Sequence, residues 1–309
     1  MASTWPPEPA RPYHLLDGIN HSNVVYAPKL KPSFAEFSPV TDTPEHDDIA
    51  ACAAQVARAD PERFAATMAA PVALRPALFA LYAFNTEVAR APWVTQESMI
   101  AEMRLQWWRD ALEEIGAQGQ GGPLRRHEVV TPLAGVLAPP EAALLDDLVL
   151  ARRWDIYRDP FEDETGFHTH IEQTGGILMR VAATMAHGAP LTPEAAQAAT
   201  DAGYAAGLAA WLRAIPALEK AGRVPLVDGR PEAIAGLAND GLNRLNASRL
   251  GRRHMSKPAR AAMLPAWLAA PVLQQAAKEP ARVAQGALGI SDFAQKARLM
   301  RCAVTGRWW

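Results

Sequence analysis

Histidines and clustered acids are the first candidates for chemistry in this sequence. His168 and His170 lie two residues apart, a spacing that directs two imidazoles to different sides of a helix and therefore makes a weak metal site. The acidic runs Asp146-Asp147 and Glu162-Asp163-Glu164 spread their carboxylates in the same way, which favours a solvated helix face. A serine or cysteine nucleophile with a supporting base is not recognisable. These groups predict neither a metal centre nor a nucleophilic enzyme.

Arginines are the second set of candidates, because a guanidinium offers a two-pronged donor to phosphate or carboxylate. Arg104 and Arg109 are interpreted either as an anion grip or as partners of acids on their own helix. For Arg213 and Arg223, anion binding and capping of helix ends are equally good interpretations.

Tryptophans near these arginines also allow two interpretations. Trp107 and Trp108 fit the lining of an apolar tunnel, but their helical spacing with neighbouring leucines favours an ordinary core. The terminal Trp308 and Trp309 fit either a membrane interface or a docking contact on the domain.

The elements that would position these residues are helices. Of the 309 residues, 49% are hydrophobic and 21% are charged, with a formal net charge of -2, so nothing indicates a nucleic-acid partner. Helix starts, each a proline followed by an acid and often preceded by a capping residue, recur along the chain. The predicted starts are Thr43-Pro44-Glu45, Asp60-Pro61-Glu62, Pro140-Glu141, Thr192-Pro193-Glu194 and Pro231-Glu232. The sequence therefore predicts an all-α domain of about ten helices over residues 46–309.

Residues 1–45 differ from the rest in carrying eight prolines among aromatic and apolar residues. They predict an extended arm that docks on the domain or a partner, with a flexible tail as the alternative. The two cysteines are far apart, which indicates a reducing compartment. No uninterrupted apolar stretch is long enough to span a membrane, and a peripheral membrane position stays open.

Several segments in order resemble the squalene/phytoene synthases, over roughly residues 58–309. The segments that carry the resemblance are Leu81-Tyr82-Ala83-Phe84, Met103 to Leu112, Arg152 to Asp155, Thr174 to Arg180, Leu212-Arg213 with Gly222 to Leu226, and Leu264 to Leu268. The resemblance implies a single-domain isoprenoid-synthase-like helical bundle. Active members hold magnesium and diphosphate between two helices, each with a pair of aspartates at i and i+4.

This sequence lacks all four of those aspartates. Counted from the matching segments, the first pair falls at Ala89 and Trp93, and the second falls at Ala214 and Leu218. Pro92 and Pro216 disturb both helices near these positions. The sequence therefore predicts no metal site and no cofactor, and we expect Glu87 and Glu219 to form ion pairs at the surface.

One branch of the family shows the same loss. The helix from Ala83 to Arg90 followed by Met103 to Trp108 resembles the complex I assembly factors of mitochondria and their α-proteobacterial relatives. The resemblance implies a non-catalytic assembly factor with complex I subunits or assembly intermediates as partners. The implied location is the cytoplasm or the inner face of the bacterial plasma membrane, or the mitochondrial matrix, although no transit peptide is evident.

Two alternatives stay open at this stage. One is an active, magnesium-dependent prenyl transferase, and the other is a non-catalytic carrier of a prenyl or lipid ligand. The candidates for ligand or anion binding are Arg75, Tyr82, Arg104, Trp108, Arg180, Arg213 and Arg223.

Overall fold

A computed structural model describes residues 44–118, 123–157 and 159–309, and this part of the chain is helical without a strand. The first half holds α1 (Pro44–Ala59), α2 (Pro61–Ala69), α3 (Arg75–Arg90), α4 (Ser98–Gly116), α5 (Val130–Ala134), α6 (Pro139–Ala151) and α7 (Trp154–Tyr157). The second half holds α8 (Glu164–Ile171), α9 (Ile177–His187), α10 (Pro193–Lys220), α11 (Pro231–Ser248), α12 (Lys257–Ala262), α13 (Ala269–Lys278), α14 (Ala281–Ala284) and α15 (Asp292–Thr305). The predicted all-α class is confirmed. The arm predicted over residues 1–45 lies outside the described residues, except for Pro44 and Glu45 in α1.

Helix starts follow the predicted signals. The Asp60 carboxylate accepts a hydrogen bond from the backbone of Arg63 at the start of α2, and the Thr192 hydroxyl does the same for Ala195 in α10. Such caps satisfy backbone donors that have no partner within the helix. The helix predicted to start at Pro140 begins one residue earlier, at Pro139.

Two large hydrophobic clusters form most of the core of the described residues, and α9 contributes to both. The first cluster joins α3, α4 and α6, with Phe84, Leu105 and Leu145 fully buried. The second surrounds α10. On α9, Leu178 packs into the first cluster while its neighbour Met179 packs into the second. The long, central α10 is therefore positioned on one side by α9 and on the other by α11 and α13.

A close crossing fixes the register of α10 against the segment that precedes α9. This segment, Glu172–Gly176, is a π-helical turn, a form that often marks a local irregularity in a helix. A Cβ atom added to Gly175 would lie 2.6 Å from the carbonyl oxygen of Gly203 and 3.0 Å from the Cα of Gly207. The absence of side chains at Gly175 and Gly203 permits this close crossing.

The C-terminus is part of the core. Trp308 is fully buried, and its indole Nε1 donates a hydrogen bond to the Ser248 hydroxyl at 3.0 Å. Trp309 lies half-buried beneath the guanidinium of Arg249, 5.1 Å from the ring centre. Of the two interpretations of this aromatic end, the docking contact is the one the structure shows.

The glycine crossing generates a stability prediction. We expect Gly203→Ala to lower the free energy of unfolding by about 2 kcal/mol, because the added methyl group overpacks the crossing. Its matched control is Gly236→Ala in α11, where nothing lies within 4 Å of the added atom. The control should raise the free energy of unfolding by about 0.5–1 kcal/mol through helix propensity. Urea denaturation measures both, and equal effects of the two substitutions would contradict a close crossing.

Candidate functional site

The four positions where the family resemblance places aspartates lie near the ends of α3 and α10. Ala89 is half-buried in the last turn of α3, which ends at Arg90. Trp93 lies beyond it in a 3₁₀ turn that contains Pro92, so this proline ends the helix as predicted. Ala214 and Leu218 are buried on α10. These four side chains contribute no oxygen atom to the site.

Arg223 connects the two groups of positions. Its guanidinium lies over the Trp93 ring, 4.8 Å from the ring centre, and Nη2 donates a hydrogen bond to the carbonyl oxygen of Asp155. Its backbone N–H donates to the carbonyl oxygen of Leu218 at 2.9 Å. The residue is only 6% exposed. A buried cation therefore occupies the region where the family motif would gather acids around a metal.

Asp155 is the acid beside this cation. The residue is 3% exposed, and its carboxylate lies 3.7 Å from a guanidinium nitrogen of Arg152. Burial raises the pKa of Asp155, while the charges of Arg152 and Arg223 act in the opposite direction. One buried carboxylate thus interacts electrostatically with two guanidinium groups.

The other acids near the motif positions are also engaged. Glu87 accepts a hydrogen bond from Gln55 at 2.7 Å and lies 3.9 Å from Arg90. The expected ion pair of Glu87 is therefore present, but the residue is half-buried rather than fully at the surface, and burial raises the pKa of its carboxyl group. Glu62 receives two hydrogen bonds from Arg213, at 2.8 and 2.9 Å. That contact places Arg213 in an ion pair between α10 and α2.

Magnesium does not fit this donor set. The metal prefers several oxygen ligands in octahedral geometry. The side chains at the four motif positions, Ala89, Trp93, Ala214 and Leu218, contain no oxygen atom. Among the described residues, no group of three or more histidines, cysteines and acids is arranged to hold a metal ion. The carboxylates of Asp155, Glu62 and Glu87 contact arginine or glutamine side chains.

Aromatic side chains fill the space beside the second pair of positions. The indole of Trp154 stacks on Phe161, with ring centres 4.6 Å apart, and Trp211 contacts both. Trp211 is anchored by a hydrogen bond from its Nε1 to the Pro225 carbonyl. His170 packs against the same rings, and burial lowers its pKa to about 3, so it is neutral at physiological pH. Sequence reasoning missed this cluster, which carried no periodic signal.

The two predicted histidines have different surroundings, as their spacing indicated. The Nδ1 atom of His168 lies 2.5 Å from the Tyr204 hydroxyl oxygen, whereas His170 belongs to the aromatic cluster. Above Tyr204 lies the Arg244 guanidinium, 4.0 Å from the ring centre. Arg244 also bonds to Glu172 at 2.5 Å and Asp201 at 2.7 Å. The arrangement is an ion-pair network that links α11 to α10 and the π-helical turn.

Four of the predicted ligand-binding residues lie on α3 and α4. The Nε of Arg75 donates to the Ala70 carbonyl at 3.1 Å. Tyr82 is buried, and burial raises the pKa of its hydroxyl, with the Arg63 guanidinium 5.2 Å from its ring centre. Arg104 is half-buried near Glu87. Trp108 is a core residue, as its spacing favoured.

Arg180 and Trp107 complete the set of candidates. Arg180 is half-buried on α9. Trp107 differs from its neighbour Trp108 because it is partly exposed, with the Arg125 guanidinium 4.8 Å from its ring centre. The predicted ligand-binding residues therefore have several different contacts, which are described for each residue above.

A surface groove lies elsewhere, between α4 and α6, with a volume of about 510 Å³. The Arg109 guanidinium bonds to the Asp146 carboxylate across it, at 2.7 and 3.0 Å. Two predictions are corrected by this contact. Arg109 pairs with an acid on another helix rather than on its own, and Asp146 is not simply solvated. None of the motif positions lines the groove.

Comparison with known proteins gives this geometry a context. A protein of Drosophila melanogaster described as "NADH dehydrogenase (ubiquinone) complex I, assembly factor 6 homolog" is 32% identical over 172 residues. The match covers 53% of this chain and 50% of the fly protein, so the chain spans about half the length of that relative.

Two solved structures share the fold. A dehydrosqualene synthase in complex with ligand superposes with a TM-score of 0.69 at 14% identity, covering 86% of this chain and 99% of that one. The squalene synthase HpnC from Alicyclobacillus acidocaldarius gives a TM-score of 0.59 at 13% identity, covering 85% and 95%. The family model for squalene/phytoene synthase matches residues 56–287. By that match, which spans most of its length, the chain belongs to the squalene/phytoene synthase family.

Proposed function

We propose that this chain is a non-catalytic member of its family that acts in the assembly of respiratory complex I at the membrane. One observation supports the non-catalytic part of the proposal. The positions of both acidic motifs hold apolar side chains, and the buried Arg223 guanidinium lies against one of them. The similarity to the fly assembly factor homologue supports the second part of the proposal.

The charge of the site is the physical basis of the proposal. An active site of this class gathers carboxylates that attract magnesium, and magnesium in turn neutralises a diphosphate. Here the four acids are missing, and the one deeply buried acid nearby, Asp155, lies beside the guanidinium groups of Arg152 and Arg223. A second cation placed beside this guanidinium would be repelled and would lack ligands.

We place the protein at the inner face of the membrane, with complex I subunits or assembly intermediates as partners. No helix of the described residues is long and apolar enough to cross a bilayer. Peripheral attachment would bring a protein that lacks a membrane-spanning helix to a complex in the membrane.

Turnover is the first test. With farnesyl or geranylgeranyl diphosphate and magnesium, we expect pyrophosphate release no faster than in a protein-free sample, because no carboxylate wall holds the metal. An active dehydrosqualene synthase serves as the positive control. Release that depends on magnesium and stops with a chelator would establish the alternative, a prenyl transferase.

The structural role of Arg223 is the second test. We expect Arg223→Met to lower the free energy of unfolding by about 3 kcal/mol, because it leaves buried acceptors and Asp155 without their cation. Arg230→Met is the control, since the Arg230 side chain is exposed and pairs with the neighbouring Asp228. The free energy of unfolding of this variant should hardly change. Chemical denaturation measures both variants. Equal stability of Arg223→Met and the unaltered protein would show that the buried contacts are not structural.

Complex I assembly is the third test. Deleting the gene should remove most of the NADH:quinone oxidoreductase activity of the membranes and reduce assembled complex I on native gels. The unaltered gene should restore both. Succinate:quinone oxidoreductase activity is the control and should not change. Normal complex I levels in the deletion strain would contradict the assembly role while leaving the argument about catalysis intact.

A further inference from the structure

The outer face of α15 carries an apolar stripe between cations. Three of its side chains are strongly exposed: Phe293 at 83%, Met300 at 68% and Val304 at 82%. Their spacing of seven and four residues places them on one side of the helix. Exposed apolar side chains are common singly, but a stripe of three along one helix is a feature that needs a partner.

The opposite side of the same helix holds it to the domain. Cys302 is fully buried, and Leu299 and Ala303 pack with Trp267 in a third hydrophobic cluster. The Arg298 Nε donates a hydrogen bond to the Trp267 carbonyl. The helix is therefore fixed in its rotation, with the exposed apolar stripe on the side away from this third cluster.

Cations flank the stripe on both sides. At 100° per residue, Lys296 lies about 60° to one side of Phe293 and Arg301 lies about 80° to the other. Both are exposed. Asp292, at the first position, is the one acid within the helix sequence. Long basic side chains beside an apolar stripe can direct their charges to a polar surface while the stripe is buried.

The positive charge continues beyond the end of α15. Arg252 donates hydrogen bonds to the carbonyl oxygens of Gly306 and Thr305. Burial lowers the pKa of Arg252, and repulsion from Arg260 and Arg307 lowers it further.

Two exposed residues lie near the end of α15, and one acid reduces the positive charge there. Arg249 and Leu250 are exposed next to it, and Leu250 is apolar. Glu194 interacts with Arg253, so some of the cationic charge is compensated on that side.

We infer that the outer face of α15 docks on an anionic bilayer surface, with Phe293, Met300 and Val304 inserted among the lipids and Lys296 and Arg301 at the headgroups. The charge pattern selects this occupant. A stripe that met another protein would be rimmed by mixed charges, whereas this one has Lys296 and Arg301 on its two sides and a single acid, Asp292, at the helix start. Basic amphipathic helices bind anionic interfaces in this way. The inference rests on the proposed function only for the presence of a membrane.

Vesicle flotation with the full chain tests this surface. The protein should float with phosphatidylglycerol-containing phosphatidylcholine vesicles and bind roughly tenfold more weakly to phosphatidylcholine alone. Phe293→Ser combined with Met300→Ser should weaken binding to the anionic vesicles at least roughly tenfold, since it removes the apolar contacts. Lys296→Glu with Arg301→Glu should remove the preference for anionic lipid.

The matched control is Met99→Ser with Met103→Ser, two comparably exposed methionines on α4 (76% and 62%). These changes should leave flotation unchanged. Equal binding of the α15 variants and the unaltered protein, or a loss caused by the α4 variant instead, would overturn the inference. A change in oligomeric state in the α15 variants, measured by light scattering, would overturn it in favour of a second copy as the occupant.

The outcomes separate the two proposals. Vesicle binding involves no complex I, so absence of binding overturns the role of α15 and leaves the assembly role standing. Binding that depends on α15, together with normal complex I levels after gene deletion, would instead leave the membrane surface established and the assembly role contradicted.

Discussion

The position of the Arg223 guanidinium is the constraint on which the interior of this protein depends. A buried cation needs acceptors and a counter-charge, because its desolvation is otherwise too costly. Arg223 has the Asp155 carbonyl, the face of Trp93 and the Asp155 carboxylate nearby. A metal-binding site in the same place would need the opposite arrangement, with several acids and no fixed cation. The two arrangements exclude each other, so the apolar residues at the motif positions and the buried arginine form one consistent solution.

Two further arginines pair with acids on other helical elements. Arg213 on α10 binds Glu62 on α2, and Arg244 on α11 binds Glu172 and Asp201. Each pair joins two elements that are distant in sequence. Half-buried pairs of this kind contribute modestly to stability, but they fix the relative rotation of the helices. Arg213 and Arg244 thereby hold helices together.

The sequence was informative wherever local chemistry decides the structure. Proline and capping residues predicted where α2 and α10 begin. Contacts between distant segments were beyond reach, because they depend on how helices pack. Arg109 has acids on its own helix yet bonds to Asp146, which is 37 residues away. The contact of Arg223 with Trp93 and the aromatic cluster around Trp211 have the same origin.

The outer surface raises a different question from the interior. Basic residues near the end of a helix are most often a solvated face, and that interpretation accounts for Lys296 and Arg301 taken alone. It does not account for the apolar side chains between them, because the exposure of Phe293 and Val304 to water is unfavourable. The inner side of α15 is already satisfied by Trp267 and its neighbours. The outer face of α15, with its apolar stripe between two cations, is therefore the surface of the described chain that we propose to meet the bilayer.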